Sequence, residues 1–231
     1  MTLLNARAPL AVLLVAALLG ANSTAGTISL GSFAGTTVDF NNLVENNGLA
    51  SPAPFPSLYA PVSVSGDTLT FGTAAFSLEA TTAGFPPSVL DHSISFQVVA
   101  KPGETISSVL IQESYFAETM GTGTVQGFYG GPANTLNPAS VVSASASAMQ
   151  TGDGANVIVP APLLFTFPTP VTQANFTLDN RLTAFKLDQA DLARITKGDL
   201  TVTVNPVPEP MSATIFACGF AGLLTVRRRR R

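Results

Sequence analysis

The sequence contains a single histidine, His92, which follows Asp91 at the start of a strongly alternating segment. Imidazole titrates near neutral pH, so a histidine beside a carboxylate could act as a general base in hydrolysis. The other residues on its face of the segment are apolar, and no G-x-S-x-G nucleophile motif is present; in the nearest match, residues 31–35, the serine stands one position early. We therefore expect a partly buried or strand-end histidine and no catalytic residue here.

Two carboxylates near the middle of the chain, Glu113 and Glu118, are the next candidates. Paired acids can hydrolyse glycosides when they lie roughly 5–10 Å apart across a cleft. The chain has no tryptophan, so a platform for stacking sugars would have to come from Phe128-Tyr129 or from Tyr59. We expect both glutamates to be exposed charges at a strand end, and therefore no enzyme.

No resident cofactor is expected either. The only cysteine, Cys218, lies in an apolar segment without basic or histidine partners, and no Cys/His cluster exists for zinc. The acids Asp67, Asp153 and Asp199 stand in turns and could bind calcium, although the D-x-D-x-D-G loop is absent. Calcium is thus the one cofactor left open.

Composition narrows the function classes. The 231 residues are 46% hydrophobic and only 11% charged, compared with about a quarter in an ordinary soluble domain. The net charge is −3, with 11 basic and 14 acidic residues, and the last five residues of the chain are all arginine. This composition disfavours a nucleic-acid binder, a disulfide-stapled module and a thiolate metal site, and its length suits one domain with a real core.

The N-terminus resembles a secretory signal peptide over residues 1–25. One positive charge, Arg7, precedes the uncharged, mostly apolar run Ala8–Gly20, which is too short to span a bilayer core of about 30 Å. Small residues follow it, and they predict cleavage after Ala25 with Ala21 as the alternative. Export is therefore expected.

The C-terminal residues 206–231 have three parts. Three prolines in the five residues 206–210 predict an extended, exposed hinge that is neither helix nor strand. The uncharged segment Met211–Val226 follows, and we predict a weakly inserting transmembrane helix there. A basic cluster follows the predicted helix, and we expect it to keep this end of the helix in the cytoplasm. The cluster consists of Arg227, Arg228, Arg229, Arg230 and Arg231.

The motif Pro208-Glu209-Pro210, followed by a short apolar helix and a terminal arginine cluster, resembles the PEP-CTERM protein-sorting signal. That resemblance covers about the last tenth of the chain. It implies that an exosortase, a membrane-embedded cysteine transpeptidase, reads the tail as substrate in a bacterium with an outer membrane. It also implies association with exopolysaccharide and biofilm formation, and a mature protein that ends near Pro210.

The segment between the two ends alternates with a period of two and is interrupted by Gly, Pro, Asn and Asp, which is typical of short strands. The clearest strand is Asp91–Ala100, with His92, Ile94, Phe96 and Val98 on one face. A type II turn at residues 101–104 is predicted to join it in a hairpin to a strand at Thr105–Phe116.

A second hairpin is predicted from Thr68–Phe71 and Ala75–Leu78, and a surface connection over residues 41–61. One short helix is predicted from Asp188, as its N-cap, to just before Gly198. The predicted fold is all-β, an antiparallel β-sandwich or jelly-roll-like body over residues 26–205 with that helix. Further strands are expected at Thr27–Phe33, Val141–Met149, Val157–Val159, Leu163–Phe167, Asn175–Leu178 and Leu200–Val204.

Five basic and thirteen acidic residues give the segment 26–205 a net charge of −8. We therefore expect an acidic, exported, non-enzymatic β-domain of the cell envelope or extracellular matrix, inserted transiently in the inner membrane and not bound to nucleic acid. The alternatives are a carbohydrate-binding module for exopolysaccharide and a secreted hydrolase.

Overall fold

The computed structural model describes residues 26–46, 56–73 and 75–209. Over these ranges the chain is all-β, its sheets are antiparallel, and no helix is present. The strands are β1 (Thr27–Ala34), β2 (Val38–Asn46), β3 (Val62–Ser65), β4 (Thr68–Phe71), β5 (Ser77–Glu79), β6 (Ser88–Ala100), β7 (Glu104–Met120), β8 (Thr124–Leu136), β9 (Ala139–Thr151), β10 (Gly154–Ile158), β11 (Leu163–Val171), β12 (Gln173–Phe185) and β13 (Leu192–Pro208).

The strands form two sheets of a β-sandwich. The first sheet has the order β1-β2-β6-β12-β8-β9. The second is built on the two longest strands, β7 and β13, which pair along nearly their whole length. The edge of β7 that faces away from β13 pairs with β10 and β11. The edge of β13 that faces away from β7 pairs with β5 and β4, and β4 pairs in turn with β3.

The core lies between the sheets because successive side chains of a strand point to opposite faces. On β6 the inward positions hold the face predicted from the sequence, and on β12 every second residue from Ala174 to Ala184 is buried. Phe96 and Phe176 stack at 5.1 Å between ring centroids, and Phe165 meets Phe176 edge-on at 5.4 Å. Any polar residue at an inward position is therefore placed in an apolar interior.

The predicted central hairpin is wrong in its pairing although its strands and turn are present. Gly103 has φ of 86°, and the Glu104 N–H donates to the Lys101 carbonyl at 3.0 Å, as a type II turn requires. However, β6 pairs with β2 and β12, and β7 belongs to the other sheet. The turn is thus a corner between sheets.

The second predicted hairpin is wrong for the same reason. Strand β4 pairs with β3 around the turn at residues 65–68, whereas β5 pairs with β13. The predicted connection over residues 41–61 begins too early, because β2 continues to Asn46. Residues 47–55 lie outside the described ranges.

The predicted helix after Asp188 is also wrong. Asp188 does cap a turn, since its carboxylate accepts from the Ala190 N–H at 3.0 Å and its carbonyl from the Asp191 N–H at 3.2 Å. The chain then enters β13, where Ala193, Ile195 and Lys197 are buried at alternating positions. Asp188 therefore does act as a cap, but the residues after it alternate between buried and exposed with a period of two, and they form a strand.

The last strand extends into the predicted hinge. Residues 206–208 are paired with β7 in β13, after a register shift between Asn205 and Pro206. The Glu209 N–H donates to the Gly103 carbonyl at 2.9 Å. The pairing of β13 with β4 ends at Thr203. Prolines are tolerated beyond that point because this edge of β13 no longer needs backbone N–H donors for β4.

The predicted signal peptide with Ala25, the segment Met211–Val226 with Cys218, and Pro210 and Arg227–Arg231 lie outside the described residues. Within the described ranges, no helix is long and apolar enough to cross a membrane.

Candidate functional site

Three strands bring a lysine, a glutamate and an asparagine together in the middle of the core. On β13, Lys197 stands in register with Tyr115 of β7, and Glu113 occupies the preceding inward position of β7. A bulge at residues 198–199 follows Lys197, seen as a register shift before Leu200. Asn180 comes from β12 of the opposite sheet. We call these three residues the Lys–Glu–Asn cluster.

The Lys–Glu–Asn cluster is tight and inaccessible. The Lys197 Nζ lies 2.8 Å from Glu113 Oε1 and donates to Asn180 Oδ1 at 2.5 Å. Their relative exposures are 1% for Lys197, 3% for Glu113 and 1% for Asn180. The lysine therefore bridges a carboxylate of its own sheet and a carboxamide of the other sheet, away from solvent.

Aromatic rings enclose the cluster. The Lys197 Nζ lies 5.1 Å from the ring centroid of Tyr59 and 5.2 Å from that of Phe76, both within cation–π range. The Tyr115 ring occupies the space that a side chain at Gly127 would fill, since a Cβ there would lie 2.3 Å from it. These rings exclude water, which strengthens every electrostatic interaction inside.

Tyrosine hydroxyls also reach the cluster. The hydroxyl of Tyr115 lies beside Glu113 and that of Tyr59 beside Asn180, each without a hydrogen bond of good geometry among the described residues. Burial and the Glu113 carboxylate raise the pKa of both phenols, so both stay protonated.

Burial shifts the two charged groups toward their neutral forms. It raises the pKa of the Glu113 carboxyl, although Lys197 opposes the shift, and it lowers the pKa of the Lys197 ammonium, although Glu113 opposes that shift. Both directions favour transfer of one proton from lysine to glutamate. The pair can therefore supply an uncharged amine and a carboxylic acid at contact distance.

A second buried polar group, the Glu45–His92 pair, lies in the same core. The His92 Nδ1 is 3.3 Å from Glu45 Oε1, and the Phe76 ring packs edge-on against the imidazole at 5.5 Å. The Ser57 hydroxyl donates to Glu45 at 2.7 Å and the Leu58 N–H at 3.0 Å. Burial acts to raise the pKa of Glu45, but the hydrogen bonds from His92, Ser57 and Leu58 outweigh it and lower that pKa.

The structure separates the residues considered for hydrolysis. The prediction that Glu113 is exposed is wrong, because it points inward as every second residue of β7 does. Glu118 instead faces outward, 4.0 Å from the partly exposed Arg194. His92, expected to be partly buried or at a strand end, is buried within β6, while Asp91 points to the opposite face and is exposed.

The aromatic and acidic candidates of the sequence have other roles. Tyr59 and Tyr129 are fully buried, so neither forms a surface platform for a sugar. The Asp67 carboxylate accepts from the Thr37 N–H and hydroxyl, and Asp153 accepts from the Gly121 N–H. Among the described residues, no three His, Cys, Asp or Glu side chains group as a metal site would require.

Sequence reasoning missed Lys197, Asn180 and Tyr115. Lys197 falls within the predicted helix, and Asn180 lies just beyond the predicted strand Asn175–Leu178. A usable signal exists in the alternation: each of Glu113, Asn180 and Lys197 occupies a position where an apolar residue is expected. One such exception in each of β7, β12 and β13 indicates three buried polar residues, and the fold then brings them together.

No protein-family model matches this chain, and no curated protein matches its sequence significantly. Among solved structures it is similar to a Clostridium thermocellum endo-1,4-β-D-xylanase (CBM22-1 and GH10 modules, complexed with xylohexaose), with 11% identity, TM-score 0.26, and coverage of 56% of this chain and 26% of that one.

It is also similar to the structure of infectious bursal disease virus Gx strain, with 13% identity, TM-score 0.31, and coverage of 79% of this chain and 53% of that one. A third similar structure is the bacteriophage CBA120 tailspike protein 4 enzymatically active domain, with 12% identity, TM-score 0.25, and coverage of 79% of this chain and 19% of that one. This chain spans about half or less of the length of each. At TM-scores this low, none of these likenesses bears on its function.

Proposed function

We propose that this chain is an exported, non-enzymatic β-domain protein of the cell envelope or extracellular matrix, in a bacterium that makes exopolysaccharide. Its N-terminal 25 residues direct export, and its C-terminal tail is the substrate of an exosortase. The proposal combines the targeting motifs of the sequence with a β-sandwich that occupies the segment between them.

The observation that carries the sorting proposal is the position of the Pro-Glu-Pro motif. Pro208 is the last residue of β13 and Glu209 follows it, and both are exposed at the surface of the sandwich. An extended, exposed segment is the form in which a protease site binds its substrate. The described part of the body thus reaches the first two residues of the motif, which supports a sorting signal that follows the sandwich without a long spacer.

The placement of the acids supports a role without catalysis on a bound substrate. Glu113 and Glu45 lie inside the core, where Lys197 contacts Glu113 and the Ser57 hydroxyl donates to Glu45, and Asp67 holds a turn. The net charge of −8 over residues 26–205 suits a matrix in which divalent cations bridge acidic polymers.

Intact-mass measurement of the protein recovered from its native host tests the proposal. The mature protein should begin at Gly26 and end near Pro210. The double substitution Pro208→Ala and Glu209→Ala should leave the tail attached, whereas the matched change Pro206→Ala, just outside the motif, should be processed normally. Recovery of exported protein that still carries Arg227–Arg231 would overturn the sorting proposal.

A further inference from the structure

The Lys–Glu–Asn cluster contains every group needed to make an amide bond between two side chains. The Lys197 Nζ is 2.5 Å from Asn180 Oδ1. Because a carbonyl bond is about 1.2 Å long, the Asn180 amide carbon lies within about 3.7 Å of the amine nitrogen. Reacting atoms at about 3–3.5 Å are close to an attack geometry, so only a small approach is needed.

We propose that Lys197 and Asn180 form an intramolecular isopeptide bond, with Glu113 as the catalytic acid and base. The bond joins Nζ to the Asn180 Cγ, and ammonia leaves. It links β13 of one sheet to β12 of the other through the core. The reaction needs no oxidant, reductant or cofactor, and it is independent of how the chain is sorted.

The steps balance as follows. Glu113 takes one proton from the Lys197 ammonium, and the free amine attacks the Asn180 amide carbon to give a tetrahedral intermediate. Glu113 then relays a proton from Nζ to Nδ2, the Cγ–Nδ2 bond breaks, and ammonia departs. The product is a secondary amide, and the Glu113 carboxyl retains the proton that the ammonium first gave up.

The surroundings favour this reaction. The 2.8 Å contact allows direct proton transfer, and the rings of Tyr59 and Phe76 hold the amine in a site from which water is excluded. The Tyr59 hydroxyl also lies beside the Asn180 amide, and burial raises the pKa of this phenol and so keeps it protonated.

The alternative is a purely structural ion pair. Neither carboxylate oxygen of Glu113 has a hydrogen bond of good geometry among the described residues. A buried ion pair without such bonds does not recover the cost of desolvation, whereas an amide and a protonated carboxyl are both neutral. The cluster is therefore poorly built as a permanent ion pair and well built as the precursor of a cross-link.

Mass spectrometry of the purified, folded full chain tests the bond. Its mass should be lower than the sequence mass by one ammonia molecule. Because trypsin does not cleave after an acylated lysine, the digest should contain a branched peptide uncut at Lys197 and joined to the peptide that contains Asn180. That peptide also separates the bond from succinimide formation at Asn47-Gly48, which releases ammonia without a branch.

Variants assign the roles. Lys197→Ala and Asn180→Ala should abolish the branched peptide, whereas Lys186→Ala, which removes a buried lysine that donates to the Gln189 and Asp191 carbonyls, should retain it. Glu113→Gln should leave Lys197 free, and Glu113→Asp should slow the reaction at least tenfold. Folded wild-type protein without the branched peptide would overturn the proposal, and complete linkage in Glu113→Gln would remove Glu113 from it.

Discussion

The core holds two buried carboxylates in contrasting surroundings. Glu45 receives hydrogen bonds from Ser57, Leu58 and His92, and they lower its pKa. Glu113 has one close cationic partner, Lys197, and no hydrogen bond of good geometry among the described residues, and burial raises its pKa. Both glutamates have little exposed surface, but Glu113 lies deeper in the core, so depth of burial and hydrogen bonding both contribute to the difference.

The comparison shows that the depth of burial and the supply of hydrogen-bond donors together set the pKa of a buried acid. A carboxylate supplied with donors stays ionised and fixes the segment that supplies them, here residues 57–58. A more deeply buried carboxylate with fewer donors has a raised pKa, as Glu113 does. The Glu45–His92 pair thus holds residues 57–58 in place, whereas the Lys–Glu–Asn cluster is the site of the proposed bond.

The largest effect is expected from Lys197→Ala, which leaves Glu113 buried without its cation and removes the proposed bond. The free energy of unfolding should fall by about 3–5 kcal/mol, measured by urea denaturation. Lys101→Ala is the matched control: Lys101 lies 3.6 Å from Asp39, with about a third of each side chain exposed, and also donates to the Gly35 carbonyl, so its loss should cost only about 1–2 kcal/mol.

A double substitution sharpens this result. Replacing a buried ion pair by apolar residues of similar volume is commonly neutral or stabilising. Lys197→Met with Glu113→Leu should therefore restore wild-type stability if the cluster is only an ion pair. If the isopeptide bond is present, the double variant should remain clearly less stable than the linked wild-type protein.

Glu45→Ala should have the second largest effect. It leaves the Ser57 hydroxyl, the Leu58 N–H and His92 without their acceptor in the core, at a cost of about 2–3 kcal/mol. Urea denaturation at neutral pH measures it. A loss below about 1 kcal/mol would show that water replaces these bonds, and the contrast between the two glutamates would fail.

The pH dependence of stability should separate Glu45 from Glu113. The pKa of Glu45 is lowered on folding, so its contribution is complete above its ordinary pKa of about 4.3 and is lost as pH falls. In Glu45→Gln that acid-side loss should be reduced when melting temperature is followed from neutral pH downward. If the loss of stability at low pH is the same in Glu45→Gln as in the wild-type protein, the lowered pKa of Glu45 is contradicted.

A surface acid provides the smallest effect. Partial desolvation and the Asp91 carboxylate raise the pKa of Asp179, on the outer face of β12, to about 6. Because the folded protein binds this proton more tightly, stability should fall as pH rises from about 4 to 6. Asp179→Asn should abolish this slope and slightly stabilise the protein at pH 7. Carboxyl NMR titration of Asp179 checks the value directly, and a pKa near 4 would contradict it.

The sequence predicted which face of a strand is buried better than it predicted which strands pair with each other. The inward residues of β6 follow from alternation alone, and so do those in the middle of β9, where Ala144 and Ala146 pack against the core while Ser143, Ser145 and Ser147 are exposed. Alternation does not say which strand lies alongside, because every strand presents the same backbone donors and acceptors. The hairpin over residues 91–116 failed for this reason, although its turn was placed correctly.

The missed elements have local causes. Strand β8 contains Gly127, Gly130, Gly131 and Pro132, which as sequence signals indicate loops. Gly127 is required there because the Tyr115 ring of the other sheet fills its side-chain space. The Lys–Glu–Asn cluster was missed because its members are distant in sequence, and only the pairing of β7 with β13 and the facing of β12 bring them together.

The long pairing of β7 with β13 has a mechanical consequence. Tension applied at Pro208 runs along β13, parallel to the strand and perpendicular to its hydrogen bonds with β7. Such a load shears many bonds at once instead of unzipping them one by one. A covalent link at Lys197 would pass the remaining force to the opposite sheet, so the sandwich would extend little under a pull from its C-terminal end.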